Sequence, residues 1–163
     1  MYKDEKVLTL LFIILALCFE YISLGWSCSS LHYFYTDDYS WIIKSSNHNL
    51  FDSLYFFPHF AYNDRPVGAL AIGLMYKIFK LDAQAYYICL FAIHALNATL
   101  LYFISRKLFS YPICVLVGIS YCLWFPTLQA AWWIGAVFDL LSVTFITSSI
   151  LLYMNKRYTF SVI

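Results

Sequence analysis

Apolar residues come in long runs, and one broad polar stretch interrupts them. Residues 7–26 form the first run, with a single charge at Glu20 and about the 20 residues that a bilayer-spanning helix needs. Residues 27–65 hold no such run. Asp37, Asp38, Lys44, His48, Asp52, His59, Asp64 and Arg65 are interleaved there with aromatic side chains, as in Leu54-Tyr55-Phe56-Phe57-Pro58. That mixture suits short helices lying in the headgroup zone with the apolar face down. Pro66 fits the first position of a helix, where its missing N–H is not needed. The apolar run from Val67 to Phe79 is closed by Lys77, Lys80 and Asp82. It is short for a span and reads as an interfacial or re-entrant helix. Three more runs follow: 85–104, closed by Arg106-Lys107; 112–125, short and ending at Pro126; and 134–154, closed by Lys156-Arg157. The pattern predicts an all-α polytopic membrane protein, a single membrane domain over 1–163. It has about four transmembrane helices and a large first outer loop, 27–84, that carries interfacial helices.

A cleaved signal peptide is the competing reading of the first run. Its apolar core would be about 7–15 residues long and end in small residues such as Ala-x-Ala. Here the core is longer and no such site follows, which favours an uncleaved anchor. Cationic residues set the orientation, because Lys and Arg concentrate in cytoplasmic loops. With the N-terminus inside, Lys3, Lys6, Arg106, Lys107, Lys156 and Arg157 all fall at cytoplasmic ends, whereas Lys44, Arg65, Lys77 and Lys80 are spread over the much longer outer loop. Both termini are then cytoplasmic, and Asp37, Asp38, Asp52, Asp64 and Asp82 face the periplasm, lumen or exterior. In a bacterium the membrane would be the inner one.

Composition sharpens this picture. The chain is 63% hydrophobic and 12% charged, with a mean hydropathy of +0.71; a soluble domain is about half apolar and about a quarter charged. Tyr and Phe number fifteen each, as suits aromatic belts at both membrane faces. Ten scattered Lys and Arg and a net charge of +1 form no basic stripe, so nucleic acid is not an expected partner. The cysteines, at 18, 28, 89, 114 and 122, contain no CxxC pair and read as small apolar side chains rather than zinc ligands. Asn97-Ala98-Thr99 matches a glycosylation sequon but lies inside an apolar run, out of reach of a soluble transferase. No P-loop, GxGxxG, GxSxG or HExxH motif occurs.

An acid or base at the mouth of a membrane helix points to function, because charge at that depth is costly. Four residues qualify: Asp37 and Asp38 in Tyr35-Thr36-Asp37-Asp38-Tyr39, Arg65, and Asp139 near the outer end of the last run. A site in which Asp37 and Asp139 converge, with Arg65 supplying positive charge, suits sugar transfer from a lipid phosphate. A carboxylate can deprotonate a hydroxyl or hold a divalent cation, and a guanidinium can grip a phosphate with two hydrogen bonds. The plainer alternatives are an interfacial helix started by Asp37-Asp38, a snorkelling anchor at Arg65, and a helix cap at Asp139. His94, alone in a helix, reads as an interhelix contact; His32, His48 and His59 read as solvated loop residues.

The order of these features resembles the N-terminal part of a GT-C-fold membrane glycosyltransferase. The likeness is to the protein O-mannosyltransferase and lipid A aminoarabinose transferase group and to the tetratricopeptide-bearing mannosyltransferases. It rests on Asp37-Asp38-Tyr39 after the first helix and Asn63-Asp64-Arg65-Pro66 opening a short one. Tyr76-Lys77-Ile78-Phe79-Lys80-Leu81 then leads into Tyr86-Tyr87 and His94-Ala95-Leu96-Asn97-Ala98. Phe125-Pro126, Trp132-Trp133-Ile134-Gly135 and Asp139-Leu140-Leu141 complete it. The resemblance implies a transferase that uses a polyprenyl-phosphate sugar donor and a lipid, protein or glycan acceptor on the outer membrane face. It places the catalytic acid at Asp37 or Asp38, with Asp37 favoured, and the donor phosphate at Arg65. Asp139 is a supporting acid, and Asp37 with Asp139 would hold a divalent metal ion, Mg or Mn. Such enzymes are longer and have more spans, so the resemblance also implies a truncated product or a second polypeptide that supplies the remaining helices. A different class is a non-catalytic four-helix protein, such as a lipid-linked-sugar flippase or an assembly subunit; an inactive remnant is a third.

Overall fold

A computed structural model describes residues 2–27, 33–34, 36–47 and 65–155, and within the first helix the side chains at 7–9, 11–16, 18–19 and 21–22. Every described element is a helix. In chain order they are α1 (Tyr2–Ser27), α2 (Thr36–Asn47), α3 (Pro66–Phe79), α4 (Ala83–Ser105), α5 (Tyr111–Leu123), α6 (Phe125–Ala131), a 3-10 turn over Ile134–Ala136, and α7 (Val137–Met154). Ala83–Ser105 and Ile134–Met154, at 23 and 21 residues, are each long and apolar enough to cross a membrane. The pair α5 and α6 passes the same test jointly as one bent unit. The chain is therefore a helical membrane protein with two to three helices of spanning length and composition among the described residues. The 14 residues of α3 extend only about 21 Å at 1.5 Å per residue, against a hydrocarbon core of about 30 Å.

The apolar run 112–125 ends where the sequence places its end, and a further short helix that the pattern does not predict follows it. Helix α5 stops at Trp124, whose φ of −68° and ψ of 117° are extended, and α6 restarts with Pro126 in its first turn, bent 58° from α5. Proline breaks a helix only where an interior N–H is required, and the first turn requires none.

α4 sits at the centre, packed against α1, α5, α6 and α7. Lipid tails are as apolar as leucine, so such helices hold together by close packing and buried hydrogen bonds rather than by exclusion from water. Both occur here. Ala95 and Ala98 are buried on α4. Buried Asn97 donates from Nδ2 to the Leu140 carbonyl at 2.9 Å and accepts at Oδ1 from the Thr144 hydroxyl at 2.7 Å, joining α4 to α7. One core cluster joins α2, α3, α4, α6 and α7 around Tyr86, Leu90, Ile134 and Phe138. A second joins α1, α4 and α5 around Phe12, Tyr102 and Cys114, with the Phe12 and Tyr102 rings stacked at 4.3 Å.

Candidate functional site

A proline ring crowds the residue before it and keeps that residue out of the helical region. Arg65 obeys this, with φ −133° and ψ 55°, and its carbonyl accepts the Ala69 N–H at 3.1 Å as α3 begins. Its exposed side chain lies over the Phe138 ring, the guanidinium carbon 5.4 Å from the ring centre. An exposed contact of this kind contributes about 0.5–1 kcal/mol. Phe138 is gripped from two other sides. Gly68 of α3 abuts it so closely that a Cβ there would overlap the ring. Trp41 of α2 packs on it with ring centres 4.5 Å apart.

These contacts shape a cleft of about 340 Å³, with Arg65 and the first turn of α3 on one side and Phe138, Asp139, Ser142 and Phe145 of α7 on the other. Asp139 is exposed in the first turn of α7, where the positive end of the helix dipole favours an anion. It is not the cap: the N-cap residue is Ala136, with no side-chain hydrogen bond. The cap of α4, by contrast, is Asp82, whose carboxylate accepts the Ala85 N–H at 3.4 Å.

Asp37 and Asp38 both lie in the first turn of α2, and roughly 100° of helical rotation separates neighbours. Asp37 is exposed. Asp38 has no exposed surface, and its Oδ1 accepts the Gly135 N–H at 3.2 Å. The segment entering α2 is anchored as well: the Tyr87 hydroxyl donates to the Tyr33 carbonyl at 3.3 Å, and the Phe34 ring meets Tyr86 edge-on at 5.4 Å. Tyr86 in turn donates its hydroxyl to the Lys80 carbonyl at 2.9 Å, in the turn between α3 and α4.

Of the expected site residues, Arg65 and Asp139 share one cleft. Neither Asp37 nor Asp38 is among the described residues lining it; Asp38 reaches the turn that precedes α7 instead. His94 is buried with its ring stacked on Tyr121 of α5, centres 4.9 Å apart, an interhelix contact. Asn97 is buried between α4 and α7, which keeps the sequon out of reach. Among the described residues no three His, Cys, Asp or Glu side chains converge into a metal-binding group. His32, His48, His59, Asp52, Asp64 and Cys28, and the side chain of Glu20, lie outside the described residues.

Sequence reasoning did not single out Phe138, Trp41 or Gly68. Nothing in the local pattern separates Phe138 from the other phenylalanines. Gly135 lay within the Trp-Ile-Gly stretch but carried no role until the Asp38 contact gave it one. Comparison with protein-family models, with curated proteins and with solved structures returns no match for this chain.

Proposed function

We propose that the chain is a GT-C-like membrane glycosyltransferase, or the N-terminal part of one, moving a sugar from a polyprenyl-phosphate donor to a lipid, protein or glycan acceptor at the outer membrane face. The observation that supports it most is the cleft that Arg65 and Asp139 share, an exposed guanidinium and a carboxylate at one mouth between two helix starts. The size of this cleft falls within the roughly 300–1,000 Å³ of small-molecule sites. In this reading Arg65 grips the donor phosphate. Asp37 takes the proton of the acceptor hydroxyl as its oxygen bonds to the anomeric carbon. The bond from that carbon to the phosphate oxygen breaks, and the polyprenyl phosphate leaves against Arg65. Asp139 and Asp38 support the site.

A divalent cation fits this site only with help. Asp139 lines the cleft and Asp37 is not among its described lining residues; were the two brought together, with donor phosphate and water completing the shell as Mg²⁺ commonly binds, the cation would neutralise phosphate charge. The membrane arrangement belongs to the same proposal: four spans, both termini cytoplasmic, and α2 and α3 at the outer face. Further helices from a second polypeptide would complete the fold.

The test is sugar transfer from a polyprenyl-phosphate donor in membranes, wild type against Asp37→Asn and Arg65→Ala at equal expression. Loss of transfer in both variants supports the reading. Transfer unchanged in Asp37→Asn removes that residue from the chemistry. A wild type that transfers nothing, alone or with the downstream reading frame co-expressed, sinks the enzyme reading in favour of a non-catalytic membrane protein.

A further inference from the structure

We infer that Asp38 is a positioning residue, a clasp between α2 and the start of α7, and that of the two adjacent acids only Asp37 takes a proton. The inference rests on the transferase reading for the second half and on packing alone for the first. A general base must come within hydrogen-bond reach of the proton it removes. Asp38 has no exposed surface, and its Oδ1 is already held by the Gly135 N–H at 3.2 Å, whereas its neighbour Asp37 is exposed.

The clasp has two teeth in register. Asp38 and Trp41 are three residues apart on α2 and so share one face. Their partners Gly135 and Phe138 are likewise three apart, one by hydrogen bond and one by ring contact at 4.5 Å. Phe138 then carries the constraint onward, because it underlies the Arg65 guanidinium and is wedged against Gly68. The carboxylate that leads α2 is thus coupled to the wall of the cleft where Arg65 and Asp139 meet. The Gly135 side of the contact is equally confined: a Cβ there would lie 2.9 Å from Cε2 of Trp133.

The Gly135 N–H requires an acceptor, and an amide oxygen serves as one, whereas a general base requires a titrating carboxylate. The experiment uses the full chain in lipid nanodiscs, as wild type, Asp38→Asn and Asp38→Leu, with two readouts. The first is hydrogen exchange at the Gly135 amide, expected to be about tenfold faster in Asp38→Leu and near wild type in Asp38→Asn. The second is sugar transfer from an undecaprenyl-phosphate-linked donor, per folded molecule. Asp38→Asn is expected to retain it, while Asp38→Leu loses about 100-fold in kcat, as a misplacement of about 1 Å does, with the donor KM little changed. A purely structural residue would lower the amount of folded protein and leave kcat per folded molecule alone. Loss of transfer in Asp38→Asn with Gly135 still protected would make Asp38 the chemical acid and overturn the inference. Equal Gly135 exchange in all three proteins overturns it too. If the wild type transfers nothing, the transferase reading falls by itself, and Gly135 exchange alone decides the clasp.

Discussion

Two grooves of this molecule are built on the same contact and differ in what rims it. Between α3 and α7, Gly68 abuts Phe138; between α1 and α5, Gly118 abuts Phe12, and in both a Cβ would overlap the ring. Each contact brings two helices together and leaves a hollow beside it, about 340 Å³ in the first case and about 200 Å³ in the second. The first is rimmed by Arg65, Asp139 and Ser142, the second by Leu15, Phe19, Ile119, Cys122 and Leu123. Position along the helices accounts for the contrast. Asp139 stands in the first turn of α7, where the helix dipole favours an anion, and Arg65 precedes α3 with its side chain exposed. The second groove is lined by apolar residues of α1 and α5, where an unpaired ionised side chain is costly.

Substitutions can break or sharpen that contrast. The largest effect is expected from Asp37→Asn, which removes the proposed base and should cut transfer by about 10²–10⁴-fold; any comparable change to an apolar residue of the second groove should leave kcat alone. Arg65→Leu makes the first rim as apolar as the second. It should weaken retention of a polyprenyl phosphate about 100-fold, the value of a charged hydrogen-bonding pair, in a nanodisc binding assay. The matched pair Gly68→Ala and Gly118→Ala tests the shared contact. Both overpack and should cost about 1–3 kcal/mol in detergent unfolding, yet only Gly68→Ala should also lower transfer, since only Phe138 underlies Arg65. Asn97→Leu, which alters no lining residue of either groove, should cost about 0.6–2 kcal/mol through the lost bonds to Leu140 and Thr144 and leave the charges of the first rim in place. The smallest effect is a gain. Lys80 holds φ 56° with ψ −116°, a backbone state that glycine adopts freely, so Lys80→Gly should raise stability against detergent unfolding by up to about 1 kcal/mol.

Much of the helical layout was legible residue by residue. The apolar run 85–104 lies inside α4, and 134–154 spans the 3-10 turn and α7. Pro66 opens α3, because a proline has one favourable place in a helix. The bend after Trp124 was half legible: Pro126 announced a break, and the sequence left open that a new helix would start there. The site was legible in its charges and opaque in its supports. Arg65 and Asp139 stand out because charge is scarce in an apolar chain, whereas Phe138, Gly68 and Trp41 are ordinary residues whose importance lies in whom they touch.

The sequence by itself was enough to read the chain as helical and membrane-embedded, to place the starts of α3, α4 and α5 within about two residues, and to mark the few charges at helix ends. These follow from hydrophobic run length and local backbone chemistry, which need no partner. Tertiary structure alone decided that Arg65 meets Asp139 across a cleft and that Asp38 and Asp37, adjacent in sequence, separate into a buried clasp and an exposed acid. Those outcomes depend on the rotation of α2 and on contacts such as that between Asp38 and Gly135, 97 positions apart. A local pattern cannot encode them, because neighbouring side chains on a helix diverge and only packing decides which of them faces the bundle.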